Sequence, residues 1–97
     1  MTFIVNGYDY TDDQALARRQ EAREAHLEGA KNMKASGTLV YAVAMLNEEG
    51  NMCGSTMIME MENRQAVDAW LDEEPYVKGK VWERVEVIPC AVPPLFR

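Results

Sequence analysis

The 97-residue sequence has a single histidine, His26, and two cysteines, Cys53 and Cys90. One imidazole, two distant thiols and scattered acids make a poor ligand set, so no metal site is expected. The thiols are read as reduced and buried, with a bridge between them as the alternative. Basic residues are scarce as well: 10 Lys and Arg stand against 16 Asp and Glu, a net charge of −6. Without a basic surplus to neutralise phosphates, no nucleic-acid partner is expected. No run of about 18 apolar residues occurs, so no membrane span is expected. Met1-Thr2-Phe3-Ile4-Val5-Asn6 lacks the basic start and apolar core of a signal peptide, which points to a cytoplasmic location. Internal repeats and low-complexity segments are absent.

What is present fits one globular domain spanning 1–97. Hydrophobic residues are 47% and charged ones 27%, an ordinary balance. At this length a single core is adequate but not generous.

The longest continuous pattern runs from Thr11 to Gly37. Thr11-Asp12-Asp13-Gln14 fits a capping box, in which Thr11 and Gln14 satisfy each other's amides. Asp12 and Asp13 place negative charge at the positive end of the helix dipole. The body has no proline, one glycine (Gly29), and many Ala, Arg, Glu and Lys. Gly37 can adopt the left-handed conformation of a C-cap. Leu16, Arg19, Arg23, His26, Ala30 and Met33 share one stripe of this helix. The stripe is apolar at both ends and polar in the middle. Either it lines a cavity or meets carboxylates, or the helix is rotated so that Leu27 and Ala30 point inward and His26 sits at the edge.

Around this helix the chain reads β-α-β-β-α-β. Phe3 to Tyr10 is a strand of β-formers. Asp9, near its end, either looks into a site under the helix or is a solvated turn residue. Thr38 to Leu46 is apolar on both alternating faces, so it should be central or covered on both sides. Asn47 to Asn51 is a hairpin loop. Met52 to Met61 is the third strand, with Gly54-Ser55-Thr56 marking either a close backbone approach or a bulge. Its four methionines suit adaptable packing. Asn63 caps a second helix, Arg64 to about Glu73, whose inward stripe is Ala66, Val67, Trp70 and Leu71. Pro75 stops that helix. Asp72-Glu73-Glu74 is either a solvated helix end or a source of one partner for His26. Val81 to Ile88 is the last strand, and residues 89–97 form an irregular, proline-rich tail.

This order is the α+β ferredoxin-like plan, a four-stranded antiparallel sheet with two helices on one face. The other face lacks a cover. A second copy packed sheet to sheet is the economical one, so a homodimer is expected.

The chain also resembles the YciI-like (YCII-related) proteins of the dimeric α/β-barrel superfamily. The residues that carry the resemblance are Arg23-x-x-His26-Leu27, Gly37, Gly54-Ser55, Pro75-Tyr76, and the aromatic-containing stretch from Gly79 to Val87. Asp9 fits the acid that often ends the family's first strand. The resemblance implies a His–Asp pair, and some relatives degrade aromatic compounds, one as a dehydrochlorinase. Two departures stand out. Glu74 occupies the place of an aspartate before Pro75, and Ala42-Val43-Ala44 replaces Ala-Gly-Pro.

These residues support an enzyme first. His26, oriented by Asp9 or Glu74, is a general acid or base near neutral pH. Arg19 or Arg23 holds a small anionic molecule. Ser55 and Tyr76 orient it or donate to a developing oxyanion. That set suits isomerisation or elimination on a small anionic or aromatic-derived metabolite, with no cofactor. The alternatives are a non-catalytic small-molecule-binding or interaction module, and ordinary salt bridges from Arg19, Arg23 and His26 to Glu73 and Glu74.

Overall fold

The alternation along β1 (Thr2–Asp9) sets the layers. Phe3, Val5 and Gly7 are buried, while Thr2, Ile4 and Asn6 between them are half-buried. The computed structural model describes Met1–Arg97. After β1 come α1 (Ala15–Ser36), β2 (Leu39–Leu46), β3 (Met52–Glu60), α2 (Arg64–Glu73), α3 (Pro75–Lys78) and β4 (Trp82–Cys90). A short 3-10 turn follows at Pro94–Phe96. The sheet order is β2-β3-β1-β4, with every neighbouring pair antiparallel. This is the ferredoxin-like βαββαβ plan with one short helix added. Phe3, Val5, Met57 and Met59 from the sheet meet Val67 and Tyr76 from the helical layer, with Val81 and Trp82 closing the core. No helix is long and apolar enough to cross a membrane.

Several local expectations are corrected. The Thr11–Gln14 box does not form, and α1 starts at Ala15 with no side-chain cap at Gln14. Asp12 takes over: it accepts from the Gln14 amide at 3.1 Å and holds the Arg18 guanidinium at 2.7 and 2.8 Å. A carboxylate with a cation nearby out-competes the Thr11 hydroxyl. Gly37 does cap the other end, at φ +82°.

The strand read as central or covered on both sides, β2, is an edge strand paired only with β3 and exposed along much of its length. Tyr41 is 68% exposed and Leu46 62%. Its apolarity therefore marks a surface rather than a place in the middle of the sheet. In β3 both readings of the glycine hold. The β2–β3 ladder shifts register at Cys53, and a Cβ on Gly54 would fall 2.8 Å from the Gly7 carbonyl oxygen.

Pro75 ends α2, as expected, but it also opens α3, where its fixed φ and missing N–H suit the first helical position. The residues between the second helix and the last strand thus include a capped helical turn. The last strand outlasts Ile88: Pro89 pairs with Phe3 and Cys90 with Thr2. An edge strand tolerates a proline, because one row of its amides has no partner to lose. The irregular tail therefore starts two residues later than expected and contains the 3-10 turn. Cys53 and Cys90 are free, and both are partly exposed rather than buried.

The sheet face away from the helices is mixed in character. Ile58, Ile4 and Ile88 sit side by side across β3, β1 and β4. The next rungs are polar. Thr56 donates to Asn6 at 2.7 Å, Asn6 donates to Glu86 at 3.2 Å, and the Tyr8 hydroxyl donates to the same Glu86 oxygen at 2.7 Å.

Candidate functional site

Three elements bring the polar stripe of α1 to a cavity. Arg19 and His26 are buried while Leu16 and Leu27 are exposed, so the helix sits with its polar stripe inward and the rotated alternative fails. The cavity has a volume of about 230 Å³ between α1 and the β2–β3 side of the sheet. Arg19, Arg23 and His26 line it from the helix, and Ser55, Met57 and Tyr76 line it from below.

His26 Nδ1 is bonded to Glu74 Oε1. A carboxylate only accepts, so this contact puts a ring proton on Nδ1, and in the neutral ring the lone pair is then on Nε2. Glu74 is 3% exposed, and the same oxygen accepts the Tyr76 amide at 3.2 Å as the N-cap of α3. The turn that follows Pro75 therefore places the carboxylate. It also places Tyr76, whose ring lies on the imidazole with centroids 3.8 Å apart and planes 8° from parallel. Burial pushes the Tyr76 phenol above its usual range, with Arg19 and Arg23 opposing, so it stays protonated and able to donate.

Asp9 does not reach His26. Its carboxylate faces Arg19, with Nη1 at 3.4 and 3.5 Å. Burial raises the Asp9 carboxyl and Arg19 lowers it, with burial the stronger. Arg19 is only 2% exposed; its Nη2 donates to the Gly54 carbonyl and the Ser55 hydroxyl, both at 2.9 Å. Its Nε has no partner. Arg23 is the exposed cation, donating to the Met52 sulfur at 3.2 Å. Glu73, the other acid offered to this cluster, pairs with Lys78 instead.

One residue of the cluster escaped the sequence reading. Trp82 packs edge-on against both His26 and Tyr76, with centroids 6.0 and 5.5 Å away. It lies over Gly7, where any Cβ would fall inside the indole. The signal was a bulky residue at the start of the last strand with a glycine in the first strand to make room, and it can be read only once the strand register is known.

Known proteins match the chain over nearly its whole length. The model of the YCII-related domain matches residues 1–91. The chain belongs to the YCII-related family. It is 34% identical over 95 residues to Protein YciI of Escherichia coli O6:H1 strain CFT073, covering 92% of this chain and 95% of that protein. An uncharacterized protein of Haemophilus influenzae is 36% identical over 95 residues with the same coverage. Among solved structures, 5-chloro-2-hydroxyhydroquinone dehydrochlorinase (TftG) from Burkholderia phenoliruptrix AC1100, in complex with 2,5-dihydroxybenzoquinone, superposes with a TM-score of 0.81. It covers 94% of both chains at 23% identity, which shows a shared fold. A dimeric ferredoxin-like protein of unknown function from Jannaschia sp. CCS1 gives a TM-score of 0.51 at 15% identity, covering 94% of this chain and 98% of that one. In this member of the YCII-related family the acid before Pro75 is a glutamate, and its extra methylene still allows contact with His26.

Proposed function

We propose that this protein is an acid/base enzyme acting on a small anionic, ring-sized molecule, with His26 as the base and Glu74 as the group that orients it. The observation that carries the proposal is the His26–Glu74 contact beside a cavity whose charged lining is otherwise Arg19 and Arg23. With Nδ1 held by Glu74, Nε2 takes a proton from a carbon or hydroxyl next to a carbonyl. Arg23 binds the anion, and the orphaned Nε of Arg19 adds a buried donor nearby. The protonated Tyr76 phenol and the Ser55 hydroxyl donate to the oxygen on which charge develops. The proton on Nε2 then returns to a different atom, giving isomerisation, or to a leaving group, giving elimination. The dehydrochlorinase that shares the fold supports the second outcome. The proposed steps need no cofactor.

We also propose that two copies pack through the open sheet face. The row Ile58, Ile4 and Ile88, together with exposed Tyr41 and Val43 on β2, supplies the apolar contact. The dimeric protein of the same fold supports a dimer as such.

The test uses the single histidine. In 15N-labelled protein the imidazole shows the Nδ1–H tautomer, and Glu74→Gln redistributes it. Adding 2,5-dihydroxybenzoquinone, an enolic anion at neutral pH, shifts the His26 resonances in the wild type and much less in Arg23→Ala. An imidazole that responds neither to Glu74→Gln nor to the quinone defeats the enzyme reading.

A further inference from the structure

A second cavity, of about 240 Å³, lies beside the first toward the start of α1. Asp9, Thr11, Asp12, Asn47 and Asn51 supply most of its polar wall. The two cavities share Met52, and the Arg19–Asp9 pair stands between them: Arg19 lines the first and Asp9 the second. Neither alone reaches the ~300 Å³ at which ordinary small-molecule pockets begin, whereas together they do.

Their charges are opposite. The first is lined by Arg19, Arg23 and His26 with no carboxylate. The second is lined by Asp9 and Asp12 with no cation. The two acids differ in how well they are satisfied. Asp12 holds Arg18 through two short hydrogen bonds. The Asp9 side chain is 6% exposed, yet only Arg19 reaches it, at 3.4 and 3.5 Å. Charge-assisted contacts of this type normally close to ~2.7–2.9 Å, and a carboxylate accepts about four hydrogen bonds. A buried acid this poorly satisfied, on the wall of a cavity, has capacity for a further donor.

We infer that the two cavities are halves of one site for a dipolar small molecule, its anionic end held by Arg23 in the first and an ammonium group by Asp9 in the second. Met52 forms the waist between them. It is an unbranched, half-buried side chain whose sulfur accepts a hydrogen bond from Arg23, so it is free to take another rotamer as Arg23 moves onto an anion. This inference rests on the proposed function in taking the first cavity as the anion site, and it adds the second functional group of the ligand.

Three probes test it by calorimetry and His26 resonance shifts. 4-Methylbenzoate fills the first cavity, benzylamine reports on the second, and 4-(aminomethyl)benzoate spans both. The aminomethyl compound is expected to bind at least tenfold more tightly than the methyl compound. Asp9→Asn should remove that difference. The comparison within the unaltered protein holds even where Asp9→Asn folds poorly. Equal affinity for the two benzoates, or a preference that survives Asp9→Asn, overturns the dipolar site. If benzoates bind without benefit from the amine, the dipolar site falls and the anion site stands. Binding of benzylamine alone, dependent on Asp9, overturns the anion reading and with it the dipolar site. Binding of none of the three overturns both.

Discussion

The imidazole of His26 lies flat on the ring of Tyr76, with centroids 3.8 Å apart and planes 8° from parallel. Stacking fixes the plane of the imidazole, and the bond from Nδ1 to Glu74 fixes its rotation within that plane. Both contacts come from one short helical turn and its cap, since Glu74 caps the turn in which Tyr76 sits two residues on.

Removing the base separates chemistry from folding. His26→Gln should leave the secondary structure and cooperative unfolding intact, while turnover of any substrate falls by about 10²–10⁴-fold. Glu74→Ala should do more damage to the fold. It strips the acceptor from His26 Nδ1 and the Tyr76 amide. A buried donor left unsatisfied costs about 1–3 kcal/mol, so thermal unfolding should shift down clearly in this variant and little in His26→Gln.

Gly7→Ala probes the floor of the site. The added methyl would occupy the space of the Trp82 indole, so the ring has to move toward His26 and Tyr76. Overpacking of this type costs about 1–3 kcal/mol. Denaturant titration reads the loss, and near-UV circular dichroism should show a changed Trp82 environment. Gly29→Ala, with open space around its position, is the control and should be neutral or slightly stabilising.

Two acids should act oppositely on stability as pH changes. The Asp9 carboxyl is raised from 3.8 by burial, against Arg19. The folded state therefore holds its proton more tightly than the unfolded chain does. The resulting stability is complete below pH 3.8 and is lost as pH rises through the raised value. The Asp12 carboxyl is held at about 2, chiefly by its hydrogen bond from Arg18. Its contribution is present above pH 3.8 and is lost as pH falls through about 2. Unfolding midpoints from pH 2 to 7 should therefore show Asp12→Asn least stable relative to wild type at the high end. Asp9→Asn should lose ground to wild type at the low end.

The proposed dimer has a direct test. Ile4 sits between Ile58 and Ile88 on the open face. Ile4→Arg should convert a dimer to a monomer in analytical ultracentrifugation. A wild-type chain that sediments as a monomer at tens of micromolar refutes the assembly.

The order of elements could be read from the sequence because its signals are local. Alternating apolar residues announced the strands, Asn63 and Pro75 bracketed the second helix, and Gly37 closed the first. The polar interruption in the stripe offered an inward His26 as one of two readings, and only the burial of Arg19 and His26 decides between them. The pairing of acids with cations was not legible. Asp9 and Glu74 were equal candidates for His26, and only the geometry of α3, which turns the Glu74 carboxylate back on its own helix cap, separates them. The edge position of β2 was hidden for a different reason: a strand covered by its own sheet and one awaiting a partner carry the same apolar pattern. Trp82 was missed because its role depends on Gly7, 75 residues away in sequence and linked to it only through the β1–β4 register.

The exposed β2 edge has a consequence for handling the protein. Leu39 to Leu46 is eight residues without a charge or a proline, running along the rim of the sheet. Such a rim offers unpaired backbone groups to any other chain and favours uncontrolled strand pairing. Variants that expose it further should appear first as material lost to inclusion bodies, before any change in ligand binding is measurable. A lysine at Leu46, exposed at the end of the strand and outside the proposed dimer contact, would be the natural gatekeeper for keeping the rest of the molecule in solution.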